Sequence, residues 1–418
     1  MIFYHALWTL VLPVCLPAAC LSRDERFRGR MGLSVPDVVR RDRPIWVHAL
    51  SVGEVLSAVP LVEGFRREIP DHPVVFTVAT ERGMSTAIKF LSVHVNSLLY
   101  MPLDAWWCSR RIAGHINPVA FVLVESDIWP GLPALIGAAG AKRILVNGRV
   151  SPRTFKAYRR FPFAARLLFR GFDHCLMQSE LDLRRILQAG VDPGKAEVGG
   201  NIKFDRTVDP VGLEEREKWL ELLGFGSNDP VVVAGSTHRG EEEILLEAFS
   251  SLRRESPSAR LIVAPRNVER AAEIEELARR MNLSVIRRSG PAGHVAPDVV
   301  VVDTIGELGR LYGLSTVAFV GGSMVPVGGH NPLEPAAFGC PVLFGPHMHN
   351  FDAMAEMLVA AGGGVPVKNR DQLTEALSLF VSDPVIREET GQKGLRFVVS
   401  NRGAVSRAVE KVKSALRG

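Results

Sequence analysis

The sequence has few of the features that mark several common protein classes. It contains 5 cysteines in 418 residues, and no two of them form a C-x-x-C pair. This odd number and wide spacing argue against a disulfide framework and a zinc knuckle, and they indicate a reducing compartment. No G-x-G-x-x-G, Walker or H-E-x-x-H motif occurs, so the usual signatures of dinucleotide binding, phosphate-loop chemistry and zinc peptidases are missing.

A large excess of charge of one sign is also absent. The net charge is +5, with 47% hydrophobic and 23% charged residues, which is a globular composition. Such mild basicity suits an anionic membrane surface or a phosphorylated substrate, and by itself it does not indicate nucleic-acid binding. The length fits two domains, and no repeat or low-complexity tract is evident.

The first twenty residues are almost wholly apolar and are followed by arginines at positions 23, 26, 28 and 30. A secretory signal would place its positive charge before the apolar run, and Pro13 and Pro17 would kink a spanning helix. We therefore expect residues 1–37 to be an uncleaved anchor with a basic flank that spans or lies in the membrane, with the bulk of the protein cytoplasmic. A cleaved signal and a buried core helix are the alternatives.

Short, continuous, β-branched runs recur along the chain, separated by segments with helical spacing. Strands buried on both faces of a parallel sheet have this pattern. Strands are predicted at 44–50, 74–80, 121–127, 143–150, 174–179, 231–237, 260–266, 299–304, 317–323 and 341–346. They form two successive series, so an α/β protein with two doubly wound domains is expected, with the seam within residues 204–215.

Ligands of open parallel sheets bind beyond the carboxyl ends of the strands, which directs attention to the residues that follow each run. Glu54 begins the helix after the first strand, where it is either a dipole-stabilising surface acid or a general base. Glu125 ends a buried strand, where it is either a structural acid or part of a site. Lys203 precedes the seam and is either solvated or able to reach a phosphate.

The second half offers Arg266 after a strand, as a guanidinium suited to phosphate or carboxylate. Residues 305–307 open a helix with free amide donors, and residues 236 and 237 are candidate helix N-caps. His330, His347 and His349 cluster only loosely, and we predict no metal site.

Residues 151–171 combine basic and apolar side chains without an acid. A helix with one basic and one aromatic–aliphatic face is typical of contact with a membrane surface, and a merely solvated basic helix is the alternative. The basic residues are Arg153, Lys156, Arg159, Arg160, Arg166 and Arg170, and the apolar ones are Phe155, Phe161, Phe163, Leu167, Leu168 and Phe169.

Seven motifs together resemble the 3-deoxy-D-manno-octulosonic acid (Kdo) transferases of lipid A biosynthesis. They are HALSVGE (48–54), ESDIWP (125–130), GNIKFD (200–205), STHRGEE (236–242), DTIGEL (303–308), GGSMVPVGGHNPLEPA (321–336) and GPHMHNF (345–351). They occur in the same order along nearly the whole chain. The departures are Asn267 after Pro265-Arg266, where the family often has His, and Asp127 as the second acid of ESD.

The resemblance implies a GT-B fold: two Rossmann-like domains that face a cleft, an acceptor domain at 38–207 and a donor domain at 208–418, whose last helix is a candidate for packing on the first domain. It implies inverting, metal-independent and cofactor-free transfer of Kdo from CMP-Kdo to the lipid A precursor (lipid IVA), in contact with anionic lipids of the inner membrane on its cytoplasmic face. The alternatives are a GT-B enzyme with another nucleotide sugar and a non-catalytic relative.

By the same resemblance, Glu54 is the catalytic base, and Glu125 and Lys203 stabilise the transition state. CMP contacts are expected at Pro265, Arg266, Ile305, Gly306, Glu307, Asn331, Pro332, Leu333 and Glu334. The implied nucleotide makes Glu334 a candidate acceptor for the ribose hydroxyls, as acids are in other nucleotide sites.

Overall fold

The computed structural model describes residues 24–33, 43–205, 210–290 and 296–417. These residues form two compact units. The first unit comprises Met1–Arg206 together with Asn401–Gly418, and the second comprises Thr207–Ser400. The sequence-based boundary at 207/208 lies one residue from this division, and the unit assignment differs for the last eighteen residues.

The first unit is built on a seven-stranded parallel sheet with the order β3-β2-β1-β4-β5-β6-β7. Its strands are β1 Ile45–Ala49, β2 Val74–Val78, β3 Ser97–Tyr100, β4 Ala120–Val124, β5 Lys142–Gly148, β6 His174–Met177 and β7 Ala196–Val198. At its centre, Val47 of β1 is in register with Phe76 of β2 and Val122 of β4. All five residues of β1, including His48, are buried, as expected of a central strand that helices cover on both faces.

Helices cover both faces of this sheet. They are α1 Glu25–Arg30, α2 Val52–Glu68, α3 Glu81–Leu91, α4 Trp106–Ile116, α5 Gly131–Ala138, α6 Pro152–Arg160, α7 Pro162–Arg170 and α8 Glu180–Gln188, with 3₁₀ turns at Pro193–Lys195 and Ile202–Asp205. One face packs Val47 against Leu61 and Phe65 of α2. The other face packs Trp46 with Phe121, whose rings meet edge to face at 5.3 Å.

The last helix of the chain belongs to this first unit. The helices before it are α9 Leu213–Leu223, α10 Glu241–Glu255, α11 Ala271–Arg280, α12 Leu308–Leu311, α13 Leu333–Ala336, α14 Asp352–Ala360, α15 Arg370–Ser382 and α16 Pro384–Ser400, and the last is α17 Ala404–Arg417. Val405, Val409 and Val412 of α17 join the core formed by β1 and α2. Gly64 of α2 makes this possible, because a Cβ there would lie only 2.8 Å from the Val409 side chain.

The second unit contains another seven-stranded parallel sheet, with the order β10-β11-β9-β8-β12-β13-β14. Its strands are β8 Val231–Thr237, β9 Arg260–Pro265, β10 Val285–Arg287, β11 Val299–Val301, β12 Val317–Val320, β13 Val342–Phe344 and β14 Gly364–Pro366. Helices α10, α11 and α15 contribute to the core on one face, and α9 with the 3₁₀ turn Tyr312–Leu314 contributes to the core on the other.

All ten strands predicted from the sequence are present, and each begins within one residue of its predicted start. Four further strands were missed, namely β3, β7, β10 and β14, and they are the two edge strands of each sheet. Edge strands are short and partly exposed, so they lack the long apolar run that reveals a central strand.

The predicted anchor falls largely outside the described residues, of which only 24–33 lie within 1–37. Those residues form α1, capped by Asp24, whose Oδ1 accepts the backbone N–H of Arg26 at 2.9 Å. Within the described part of the chain, no helix combines the length and apolar character needed to cross a bilayer.

Candidate active site

The strand order of the first sheet reverses between β1 and β4. The chain runs outward from β1 to β2 and β3 and then returns to add β4 on the other side. Ligands of open parallel sheets bind at such a reversal, beyond the carboxyl ends of the strands. Glu54 follows β1 and Glu125 follows β4, so both predicted catalytic acids lie at this point.

Glu54 is held at the start of α2 by its own capping contacts. Ser51 is the N-cap, and its Oγ accepts the Glu54 backbone N–H at 3.4 Å. In return, the Ser51 hydroxyl donates to Glu54 Oε1 at 3.1 Å, and the Leu50 backbone N–H donates to Oε2 at 2.6 Å. Glu54 therefore makes the reciprocal contacts of a helix cap, and these contacts also fix its carboxylate at the end of β1.

Burial gives the Glu54 carboxylate an unusual proton affinity. Glu54 is 8% exposed, and burial, followed by the negative charge of Glu125, raises its pKa to about 7. Its hydrogen bonds from Leu50 and Ser51 act in the opposite direction and are outweighed. A carboxylate with a pKa near neutrality is well matched to accept a proton from a substrate hydroxyl.

Glu125 and Lys203 form an ion pair within the same unit. Lys203 Nζ lies 3.0 Å from Glu125 Oε1, and each side chain is about one-fifth exposed. Glu125 has a left-handed backbone, with φ of 63°, which is strained for a residue with a side chain. Strain of this kind persists where the surrounding structure enforces it, and it is frequent at functional sites.

The buried side chain of Asn147 connects the two partners of this ion pair. Its Nδ2 donates to Glu125 Oε1 at 3.5 Å, and its Oδ1 accepts the backbone N–H of Ile202, next to Lys203, at 3.1 Å. Asn147 is 1% exposed and also has a left-handed backbone, with φ of 61°. The end of β5 thus positions both Glu125 and the turn that carries Lys203.

The Lys203 turn is fixed from its other end by α17. Asp205 accepts the backbone N–H groups of Gly403 and Val405, each at 2.5 Å. Arg407 of α17 donates through Nε to the carbonyl of Gly199 at 2.9 Å. The last helix therefore holds both sides of the segment that presents Lys203.

Asp127, the second acid of the ESDIWP motif, lies beyond the end of its strand. β4 ends at Val124, so strand alternation does not extend to residues 125–127. Asp127 is, after Glu125, the second carboxylate whose charge raises the pKa of Glu54, and its Oδ2 accepts the Trp129 indole N–H at 3.0 Å.

The second sheet reverses between β8 and β12, and a buried glutamate organises the loops there. Glu241, 1% exposed, accepts the backbone N–H groups of His238, Gly322 and Met324. It thereby ties the loop after β8 to the glycine-rich loop after β12. The predicted N-caps at residues 236 and 237 are wrong, because both lie within β8, and α10 is preceded by Gly240 with φ of 96°.

Two histidines meet at this second reversal. His238 Nε2 and His330 Nε2 are 2.9 Å apart, and the ring planes differ by 8°. Burial, followed by the positive charge of Arg266, lowers the pKa of His330 to about 4. Burial also lowers the pKa of His238, and the charges of Arg266 and Arg270 act in the same direction.

The predicted CMP contacts lie at the carboxyl ends of strands of the second sheet. Pro265 is the last residue of β9, and the other residues come after a strand. Arg266 follows β9 and is exposed, and Ile305 and Gly306 follow β11, with φ of 100° at Gly306. Glu307 pairs with Arg288 at 3.0 Å. Residues 331–334 follow β12 and lead into α13.

In the last of these segments, Asn331 Oδ1 accepts the Leu333 backbone N–H at 3.1 Å, and Pro332 precedes the helix. Glu334 lies in the first turn of α13. The pKa of the Tyr312 hydroxyl is raised mainly by burial, and the negative charge of Glu334 is the second cause.

Metal ligation has little support among the residues described. No group of three or more His, Cys, Asp or Glu side chains there could hold a metal ion. His330 pairs with His238, and the predicted loose cluster of His330 with His347 and His349 does not form a ligand set.

The basic segment 151–171 forms two helices, α6 and α7, where a single helix was predicted. Pro162 explains the break, because a proline disfavours helical backbone at the residue before it, and Phe161 has φ of −128°. Phe161 and Phe163 at this junction are 58% and 79% exposed. Arg160 lies over the Phe161 ring at 5.6 Å.

The chain is similar over its whole length to proteins of known activity. It is 31% identical over 422 residues to the 3-deoxy-D-manno-octulosonic acid transferase of Haemophilus influenzae, covering 99% of this chain and 98% of that protein. A family model described as 3-deoxy-D-manno-octulosonic-acid transferase (kdotransferase) matches residues 25–206. The chain belongs to the Kdo transferase family. The enzyme is therefore a glycosyltransferase that transfers Kdo in lipopolysaccharide biosynthesis.

Solved structures show the fold of this Kdo transferase. A glycosyltransferase from Rickettsia africae superposes with a TM-score of 0.58 at 13% identity, over 90% of this chain and 100% of that one. A UDP-GlcNAc 2-epimerase from Neisseria meningitidis superposes with a TM-score of 0.59 at 13% identity, over 89% of this chain and 100% of that one. The transferase thus has a GT-B-like fold of two Rossmann-like domains with parallel sheets.

The structure of the transferase adds residues that sequence reasoning missed. Asn147 could have been noticed as a polar residue that interrupts the apolar run ILV at the end of a predicted strand. The pairing of His238 with His330 had no such signal, because 92 positions separate the two residues in the chain.

Proposed function

We propose that the enzyme transfers Kdo from CMP-Kdo to lipid IVA with inversion at the anomeric carbon, and that Glu54 is the general base. The observation that carries this proposal is the buried Glu54 carboxylate, with a pKa of about 7, beside the Glu125–Lys203 ion pair. Membership of the Kdo transferase family supports the choice of sugar.

In the proposed reaction, an acceptor hydroxyl oxygen attacks the anomeric carbon of Kdo as its proton passes to Glu54. The bond between that carbon and the phosphate oxygen breaks, and CMP leaves with the electron pair. A base aligned with the attacking hydroxyl contributes about 10²–10⁴-fold to the rate in enzymes of many kinds. Lys203 supplies positive charge for the developing negative charge, and Glu125 and Asn147 orient it.

We assign the donor to the second unit. Arg266 supplies a guanidinium for the phosphate, and the backbone N–H groups of the loops after β11 and β12 supply further donors. Glu334, in the first turn of α13, is the proposed acceptor for the ribose hydroxyls. These roles rest on the position of the residues at the carboxyl ends of the strands and on the family motifs that contain them.

The acceptor is an anionic lipid, so we also propose that the enzyme works on the cytoplasmic face of the inner membrane. Two exposed phenylalanines, Phe161 between the basic helices α6 and α7 and Phe163 in the first turn of α7, support contact with an anionic surface. The apolar sequence of residues 1–20 supports the anchor, which remains a prediction from sequence.

The central experiment uses the full chain with CMP-Kdo generated in situ and a tetraacylated, bisphosphorylated lipid A precursor. Mass spectrometry should detect the Kdo adduct, and NMR should show an anomeric configuration opposite to that of the donor. No adduct, with product formed only from another nucleotide sugar, would refute the donor assignment, and retention of configuration would refute inversion.

The base is tested with Glu54→Gln, which cannot accept a proton. We expect kcat to fall by about 10²–10⁴-fold, whereas Glu180→Gln, an exposed glutamate that begins α8, should match the wild type. The acidic limb of the kcat/KM profile should have its midpoint near the Glu54 pKa of about 7. Glu125→Gln should move this limb to lower pH, because it removes a charge that raises the Glu54 pKa; an unmoved limb would contradict the assignment.

Membrane contact is tested with the double variant Arg159→Glu/Arg160→Glu and vesicles that contain anionic phospholipid. Each basic residue near such a surface is worth about 1 kcal/mol, so we expect at least about tenfold weaker binding. The matched control is Arg66→Glu/Arg67→Glu, which makes the same change in net charge in the last turn of α2. Equal binding by the two double variants would refute a specific role for α6 and α7.

A further inference from the structure

The pair formed by His238 and His330 has a protonation that its geometry restricts. At 2.9 Å, the two Nε2 atoms cannot both carry a proton, and they cannot both present a lone pair, without repulsion. One Nε2–H therefore donates to the other Nε2. In the neutral pair, the accepting ring carries its single proton on Nδ1, and the Nδ1 of the donating ring is bare.

This arrangement has room for one more proton and no more. A proton added to the bare Nδ1 turns that ring into an imidazolium that still donates to its neighbour. The pair then carries one positive charge and presents two Nδ1–H donors. A second added proton would place two N–H groups face to face, so the pair takes up a single proton.

The surroundings keep the pair neutral until an anion arrives. The charged groups that act on it are Arg266 after β9, Arg270 at the end of the 3₁₀ turn Val268–Arg270, and Glu242 of α10. Glu242 is already engaged by Arg270, with an N–O distance of 2.7 Å. Arg266 is left as the positive charge that opposes protonation of both histidines, and a bound phosphate would neutralise it.

The backbone around the pair is built to hold both rings in place. Glu241 binds the backbone N–H groups of His238 and Gly322, which fixes the loops that carry the two histidines. A Cβ on Gly322 would lie 3.2 Å from the His330 ring and 3.3 Å from the His238 ring. Glycine at this position, where φ is 68°, avoids a tight contact with each ring and adopts the left-handed backbone without strain.

We propose that His238 and His330 act as one proton-accepting unit of the donor site, which takes up a single proton from solvent when a nucleotide phosphate binds beside Arg266. This assignment rests on the proposed donor site in the second unit. The histidine pair adds to that site one positive charge, which is present only when the ligand is bound. When CMP leaves the sugar, its phosphate gains one negative charge, and the protonated pair is suited to balance it.

The test is calorimetry of CMP binding to the full-length enzyme at about pH 5, in buffers of different ionisation enthalpy. An opposite charge raises a histidine pKa by about 1–3 units, so a starting value of about 4 becomes about 5 to 7. We expect the wild type to take up about 0.4 to 0.9 proton per CMP more than His330→Gln, which keeps a side-chain amide and loses the titration. The surface variant His94→Gln should behave as the wild type, and cytidine, which has no phosphate, should cause no uptake.

Affinity gives a second measure of the same linkage. Between about pH 8 and pH 6, CMP binding to the wild type should tighten up to about tenfold relative to His330→Gln. The titration of CMP itself cancels in this ratio. His238→Gln removes the same proton-accepting unit from the other ring and replaces His330→Gln if that variant does not fold.

The outcomes separate the two proposals. CMP binding with equal proton uptake by the wild type and both glutamine variants would overturn the proton-accepting pair and leave the donor site intact. If CMP did not bind to the wild type at all, the proposed donor site would fail, and the role of the pair would fail with it.

Discussion

The raised pKa of Glu54 implies that the active-site base destabilises the folded enzyme whenever it is ionised. The carboxyl has an ordinary pKa of 4.5, and in the folded protein this value is about 7. Because the folded-state pKa is the higher one, the fold is favoured by the protonated form. Stability is fully present below about pH 4.5 and is lost as the pH rises towards 7.

The size of this effect follows from the shift. About 2.5 pKa units correspond to about 3 kcal/mol at 1.36 kcal/mol per unit, and Glu54 is too buried for solvent to screen much of it. Glu54→Gln resembles the protonated acid at every pH. The stability of the variant relative to the wild type should therefore rise by about 1.4 kcal/mol per pH unit between about pH 5 and 7, and it should be constant above that range.

Urea unfolding at several pH values measures this difference. Every tryptophan except Trp219 belongs to the first unit, so tryptophan fluorescence in a Trp219→Phe background reports the unfolding of the unit that contains Glu54. Glu180→Gln in the same background is the control, and it should follow the parent protein. A difference between the Glu54→Gln and parent proteins that stays constant from pH 5 to pH 8 would show that burial does not raise the Glu54 pKa.

Three further predictions concern the groups around Lys203. Lys203→Met should lower kcat by about 10²–10³-fold with little change in KM for the donor, measured by steady-state kinetics, and a change in KM alone would contradict a role in the transition state. Asn147→Gly and Asn147→Ala should each lower kcat by a factor similar to that for Lys203→Met. The alanine variant should also be less stable in urea than the glycine variant by about 1–2 kcal/mol, because φ at this position is positive. Asp205→Asn should lower activity and raise the hydrogen-exchange rates of the Gly403 and Val405 amides, whereas unchanged exchange would show that these hydrogen bonds contribute little.

The sequence predicts the central part of each sheet well because a strand that is buried on both faces has a long apolar run, which is easy to recognise. β4 and β12 are wholly apolar, β1 is apolar except for His48, and β8 begins with the apolar run VVVA. The edge strands carry no such mark. In β7, Glu197 is exposed, and β14 ends in a proline, which an edge strand tolerates and a central strand does not.

The catalytic candidates were predictable for a related reason. A buried acid just beyond the end of a central strand, such as Glu54 or Glu125, is costly unless it has a role or a partner, and the strand itself is easy to recognise. Which groups the acid meets depends on the strand order. Asn147 and the histidine pair were missed because only the folded sheets bring His238 close to His330, or Asn147 close to Glu125.

The position of α17 in the chain has a consequence for synthesis. The core of the first unit includes Val405, Val409 and Val412, which leave the ribosome only after the entire second unit has been made. Until then, the face of α2 around Gly64 lacks its covering helix, and Asp205 lacks the amides that hold the Lys203 turn. The nascent first unit therefore remains incomplete during the translation of about two hundred residues, and the Lys203 turn can be held in place only after α17 has been made.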